Sequence, residues 1–129
     1  MKRMILLALI GLVVSFCAEK EDIPVTNIVG TWNWISSTGG IAGVTETPEA
    51  TGKTIQLMIT QDSFRTYENG ELTSESNYTI ETKESLLYGE LREMIILEDG
   101  FCKMIIRNGN KLVLVDDCYD CFISEYVKE

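Results

Sequence analysis

Histidine is absent from all 129 residues. That removes the commonest general base and the commonest zinc ligand together. Ser–His and Cys–His nucleophile pairs cannot be built, nor can a His-based zinc centre. Basic charge is also scarce, with 11 Lys and Arg against 20 Asp and Glu. A chain this acidic is repelled by nucleic-acid phosphates and by anionic lipid head groups, which excludes a nucleic-acid partner. Proline occurs only at Pro24 and Pro48, so neither ring interrupts a strand-like run. Long hydrophobic runs are missing beyond Met4–Val14. An apolar stretch of about a dozen residues is too short to cross roughly 30 Å of hydrocarbon as a permanent helix. From Ile23 to Glu129 no segment offers three turns of capped helical periodicity.

What is present at the N-terminus is an export signal. Met1-Lys2-Arg3 is a short basic start, Met4 to Val14 the apolar region, and Ser15-Phe16-Cys17 the cleavage zone. Val14-Ser15-Phe16-Cys17 resembles the lipobox of bacterial lipoproteins, with Phe16 where Gly, Ala or Ser is usual. The resemblance implies a signal peptide over 1–16 and a fatty-acylated Cys17. The alternative is a plain secretory signal cut near Ala18. Ala18-Glu19-Lys20-Glu21-Asp22 follows, a charged tether that stays solvated and extended. It resembles the acidic export signal of lipoproteins from Bacteroidota-type bacteria, and equally suits a simple linker. Residues 17–27 are thus expected to form a lipidated tether, with the folded domain over 28–129. Without Lys2 and Arg3, nine basic residues face 20 acidic ones, a charge of −11. The remaining 113 residues suffice for one domain with its own core.

The body reads with period two. Gly30, Trp32 and Trp34 alternate with Thr31 and Asn33, and Ile55, Leu57 and Ile59 alternate with Gln56 and Met58. Phe64–Tyr67 leads into Asn69-Gly70, the strongest short hairpin signal. Leu72, Tyr78 and Ile80 share the even-numbered face with Ser74 and Ser76. Leu86–Gly89 and Met94–Leu97 are short apolar runs, and a helix over Glu84–Met94 is opposed by Gly89. Asp99-Gly100 then turns into a second hairpin, Phe101–Ile106 with Leu112–Val115 around Asn108-Gly109. Phe122–Val127 supplies a last strand rich in β-branched and aromatic residues. Eight or nine strands spaced near ten residues predict an all-β meander, as a barrel or a sandwich. Gly39–Gly52, with four glycines, reads as the one long irregular loop.

Gly30-Thr31-Trp32 looks like the Gly-x-Trp signature of lipocalins and their relatives. The run from Gly30 through Gly43 to Thr51-Gly52-Lys53-Thr54 is similar to the opening of small lipocalin-like lipoproteins of Bacteroidota-type bacteria. Tyr67-Glu68-Asn69-Gly70 stands for their hairpin, and Leu112, Leu114, Asp116, Asp120, Tyr126 and Lys128 fit their ending, with Cys121 where Gly is usual. The resemblance covers nearly the whole mature chain. It implies an eight-stranded antiparallel up-and-down barrel and an outer-membrane address, on the periplasmic face or the cell surface. It implies no reaction, and a shared fold does not by itself assign one.

The cysteines in the body are Cys102, Cys118 and Cys121, and outside the cytoplasm a disulfide is the first expectation. A two-residue turn at Asn108-Gly109 puts Cys102 opposite Val115, so a Cys102–Cys118 bridge needs a bulge or a wider loop. Cys118–Cys121 across a tight turn is the alternative. Cys102–Cys118 is the favoured reading. Cys118-x-x-Cys121 also resembles a redox or metal half-site, but it lies between strands and lacks a fourth ligand. Asp116, Asp117 and Asp120 match no calcium loop and read as solvated turn residues.

The functional expectation is a non-enzymatic, lipid-anchored binding module with no cofactor, no metal and no catalytic residues. Its barrel would hold a small apolar or amphipathic molecule against Trp32, Trp34, Leu57 and Tyr78, with Gly39–Gly52 bordering the mouth. The protein is expected to be a monomer. The alternative is a solid-core envelope protein that works on a protein partner through its loops, as an accessory or an inhibitor.

Overall fold

A computed structural model describes residues 26–129. The expected export signal and the expected lipidation site, Cys17, lie outside the described residues. Nine strands form one antiparallel sheet: β1 (Gly30–Gly39), β2 (Val44–Glu46), β3 (Ile55–Ile59), β4 (Ser63–Glu68), β5 (Glu71–Glu84), β6 (Leu91–Leu97), β7 (Cys102–Asn108), β8 (Lys111–Asp116) and β9 (Phe122–Lys128). The strand order is β2-β1-β3-β4-β5-β6-β7-β8-β9, and β1 also pairs with β9. That pairing closes eight strands into a barrel, with β2 hydrogen-bonded to the outer part of β1. Closure leaves no long unpaired edge. Among the described residues no helix is long and apolar enough to cross a membrane.

The alternating pattern sorts the two faces. Trp32, Trp34, Leu57, Ile59, Phe64, Ile95, Ile105, Leu112, Leu114 and Tyr126 point inward with Ile28 as one core. Trp32 and Trp34 do share a face, and both are buried. Asn69-Gly70 is the two-residue turn between β4 and β5, with φ of 52° and 81° and Glu68 opposite Glu71. Both central residues need a positive φ in such a turn, which is why Asn-Gly announces it.

Several expectations are corrected. The second hairpin turns at Gly109-Asn110, because Asn108 pairs with Lys111 and Gly109 takes the positive φ at the first central position. The one-residue displacement moves Cys102 from Val115 to Asp117, whose N–H donates to the Cys102 carbonyl at 3.0 Å. The inward faces are unchanged, since both registers keep the same parity. Gly39–Gly52 is not irregular. It holds the β1–β2 turn, β2 and one helical turn, α1 (Pro48–Thr51), capped by the Thr47 hydroxyl, which accepts from the Ala50 N–H. Leu86–Gly89 is a turn, not a strand. A bulge at Thr66/Tyr67 puts Leu72 opposite Tyr67, so Leu72 leaves the inner face and lies half-exposed while Ser74 and Ser76 remain on it.

The two ends of the barrel differ. At one end the N-terminal segment, the 60–62 and 109–110 turns and the C-terminus meet. There Ile28 and Trp32 are fully buried, and the Trp32 Nε1–H donates to the Ile28 carbonyl at 2.9 Å. Arg107 lies 5.3 Å from the Trp32 ring and donates to the Asn27 carbonyl, while the Lys128 ammonium stands 5.8 Å from the same ring. This end is plugged. The opposite end carries the 40–43, 69–70, 98–101 and 117–121 connections.

Candidate functional site

The inner face does not fill the barrel evenly. Tryptophans and branched residues occupy the plugged half, whereas strands β4 and β5 line the other side with Thr66, Ser74 and Ser76 beside a single large side chain, Phe64. Small hydroxyl side chains facing each other leave space that Leu or Phe would close. The result is a recess of about 320 Å³ inside the barrel wall. Its apolar lining is Leu57, Phe64, Leu97, Phe101 and Tyr126, and its polar lining is Thr66, Ser74, Ser76, Asp99 and Lys103. The volume sits at the lower end of the ~300–1,000 Å³ typical of small-molecule sites.

Charge is placed with care there. Lys103 faces inward between Phe101 and Ile105, donates to Asp116 at 2.8 Å, and its ammonium stands 5.1 Å from the Phe101 ring. Both members of that ion pair are largely covered, at 22% and 16% side-chain exposure, so the mouth carries a held pair instead of a loose charge. Burial pushes the Tyr126 phenol up to about 12, partly offset by the Ser124 hydroxyl, with the Asp116 charge adding to the rise. Tyr126 is therefore a neutral hydroxyl on the cavity wall at physiological pH. Next to it, Trp34 Nε1–H donates to Ser37 Oγ at 2.8 Å, and Ser37 and Ser124 hydroxyls share a hydrogen bond at 2.7 Å.

The four residues expected to touch a ligand are not all in one place. Leu57 lines the recess. Trp32 belongs to the plug. Trp34 borders a separate cleft of about 500 Å³ in the wall, where β1 parts from β3 after Asn33 and α1 lies alongside. Tyr78 faces the plugged side, its hydroxyl donating to the Thr60 carbonyl, and burial followed by the Asp62 charge raises its pKa. Gly39–Gly52 lies toward the open end, but its Pro48 borders the wall cleft and none of it lines the recess.

Sequence reasoning misses Lys103, Phe101 and Tyr126 as cavity residues, and Asp116 as the partner of Lys103. A lysine at alternate spacing with Phe101 and Ile105 is the signal, but Cys102, Met104 and Ile106 offered an equally apolar opposite face. The outer face of β7 is covered at Met104 but exposed at Ile106. Met104 is buried beside Met94 and Val115 on the outer side, the face on which Asp117 holds the 85–90 turn.

Of the three aspartates expected to be solvated turn residues, Asp120 is exposed in its turn, whereas Asp116 and Asp117 are held by partners. Asp116 pairs with Lys103, and Asp117 is buried, accepting from Ser85 Oγ at 2.7 Å and from the Leu86 and Leu87 N–H groups at 3.0 and 3.4 Å. Burial alone would raise its pKa, but the Ser85, Leu86 and Leu87 hydrogen bonds and the Lys83 charge outweigh it and lower it. The disulfide is Cys118–Cys121, with Cα atoms 5.6 Å apart, and not Cys102–Cys118. Cys102 lies opposite Asp117, its sulfur unbridged and half-buried. Among the described residues no group of three His, Cys, Asp or Glu could hold a metal ion.

No family model matches the chain, and no curated protein or solved structure matches it. The geometry alone therefore carries the functional reading.

Proposed function

We propose that the chain is a bacterial outer-membrane lipoprotein, anchored through Cys17, whose barrel binds a small apolar or amphipathic molecule without chemical conversion. The observation that supports this is the recess at the open end, where Leu57, Phe64, Leu97 and Phe101 meet Thr66, Ser74, Ser76 and the Lys103–Asp116 pair. An apolar body would rest on the first set and a polar tip would reach the second. The described chain enters at the plugged end, and the nine residues from Cys17 to Thr26 reach at most about 30 Å.

The test is an organic extract of protein purified from its own membranes, compared with a Ser76→Phe variant that fills the recess. The reading expects a small amphipathic species from the wild type and its loss from the variant. Equal recovery from both would refute it. The anchor is checked separately with Cys17→Ala, which should release the protein from the membrane fraction.

A second reading has its own support. Leu86, Tyr88, Leu91 and Tyr119 are exposed together around the 85–90 turn and the 117–121 loop, with the Tyr119 hydroxyl donating to the Leu86 carbonyl. A protein partner would cover such a patch. That reading gains if the extract is empty.

A further inference from the structure

The three sulfurs of the open end were offered two pairings by the sequence, and the structure brings all three within one neighbourhood. Cys102 sits opposite Asp117, the residue before Cys118, through the 3.0 Å bond from the Asp117 N–H. In a continued strand Cys118 would point to the opposite face. The chain leaves the ladder there instead, as the Cys118 N–H donates to the Asp116 carbonyl at 2.9 Å. Cys102 and Cys118 consequently line the same outer recess of about 300 Å³, together with Lys83, Glu84, Leu86 and Asp117. The Lys83 ammonium lies 3.7 Å from the Cys102 sulfur, and Asp117 is fixed by its three hydrogen bonds. An unbridged thiol thus shares a solvent-reachable recess with one sulfur of a disulfide.

We propose that Cys102, Cys118 and Cys121 form a thiol–disulfide exchange site in which the bridge moves between Cys118–Cys121 and Cys102–Cys118. Cys102 gives its proton to water, and its sulfur attacks Cys118 Sγ. The Cys118–Cys121 bond breaks, its electron pair goes to Cys121 Sγ, and that sulfur takes a proton from water. One disulfide and one thiol are present before and after, so no oxidant or reductant enters. Cys118 is the shared sulfur. The exchange ties β7 directly to the 117–121 loop and frees the Cys121 thiol beside Gly39, whose Cα is packed against the Cys121 carbonyl. Because Cys102 follows the cavity residue Phe101, the two bridges brace the mouth differently. The inference does not rest on the ligand reading.

The test uses the full chain carrying Cys17→Ser, held without oxidant or reductant at about pH 8, where thiolate is populated. Exchange is quenched in acid, free thiols are alkylated there, and tandem mass spectrometry locates the label. The expected result is label on both Cys102 and Cys121, with at least about one part in ten on Cys121. Label confined to Cys102 after prolonged incubation overturns the proposal. A second variant, Cys121→Ser, removes the observed bridge and should form Cys102–Cys118 on mild oxidation, leaving no free thiol. Cys102 and Cys118 that both remain fully alkylatable in that variant would equally overturn it.

Discussion

Tyr126 provides a quantitative handle on the cavity wall. Its side chain lies between Trp34 and Leu112 in register and is 9% exposed. Burial raises its pKa from 10.0 to about 12. In the unfolded chain the phenol ionises near its ordinary value, so raising the pH favours unfolding. The contribution is intact below about pH 10 and is lost progressively as pH rises through about 12. Taking those two values, the cost at pH 11 is about 1.4 kcal/mol, and it approaches about 2.7 kcal/mol above pH 12. Tyr126→Phe removes the ionising group while keeping the ring. Urea unfolding of both proteins at about pH 8 and about pH 11, with Cys17 and Cys102 replaced by Ser to prevent sulfur shuffling, isolates the term. With a slope near 1–1.5 kcal/mol/M, the wild type should lose about 1 M more of its urea midpoint than the variant between the two pH values. Equal losses in both proteins would show that Tyr126 is not held neutral in the folded wall, and the packing argument around the recess would fail with it.

Asp117→Ala removes the carboxylate that pins the 85–90 turn and should cost about 3 kcal/mol near neutral pH, read by chemical unfolding. Because the folded carboxyl titrates below its ordinary value, the gap between wild type and variant should hold above about pH 4 and narrow as the pH falls further. A gap that does not narrow in acid contradicts the assignment. Arg107→Ala strips the guanidinium from the Trp32 face and the Asn27 carbonyl, for a loss of about 2 kcal/mol and roughly 10 °C in Tm. An unchanged melting curve would mean that the plug does not depend on it. At Gly39 a Cβ would stand 2.2 Å from the Cys121 carbonyl. Gly39→Ala should therefore destabilise by about 1–3 kcal/mol, whereas Gly40→Ala, with open space around it, tests only the backbone preference. Equal effects at the two positions would remove the close-approach argument.

The barrel was legible because period-two patterning and Asn-Gly turns are local signals. Trp32, Leu57, Leu112, Leu114 and Tyr126 could be assigned to one face without knowing their neighbours. What escaped depended on choices of a single residue. Gly109 rather than Asn108 opens the second hairpin turn, and that alone decides which residue Cys102 faces. The bulge at Thr66/Tyr67 ejects Leu72 from an otherwise regular inner face. Asp117 looked like one more acidic turn residue, since nothing in its local sequence reveals that Ser85 and two N–H groups from 30 residues away converge on it. The cavity itself was half-visible. Ser74 and Ser76 announced a thin inner face on β5, while the inward Lys103 was hidden by a strand apolar on both sides.

Native mass spectrometry of the intact protein taken from its own cells bears most directly on the binding reading. A stoichiometric extra mass should accompany the folded wild type, depart on unfolding, and be missing from folded Ser76→Phe. A wild type that flies at its bare polypeptide-and-lipid mass, indistinguishable in occupancy from the filled variant, would contradict it.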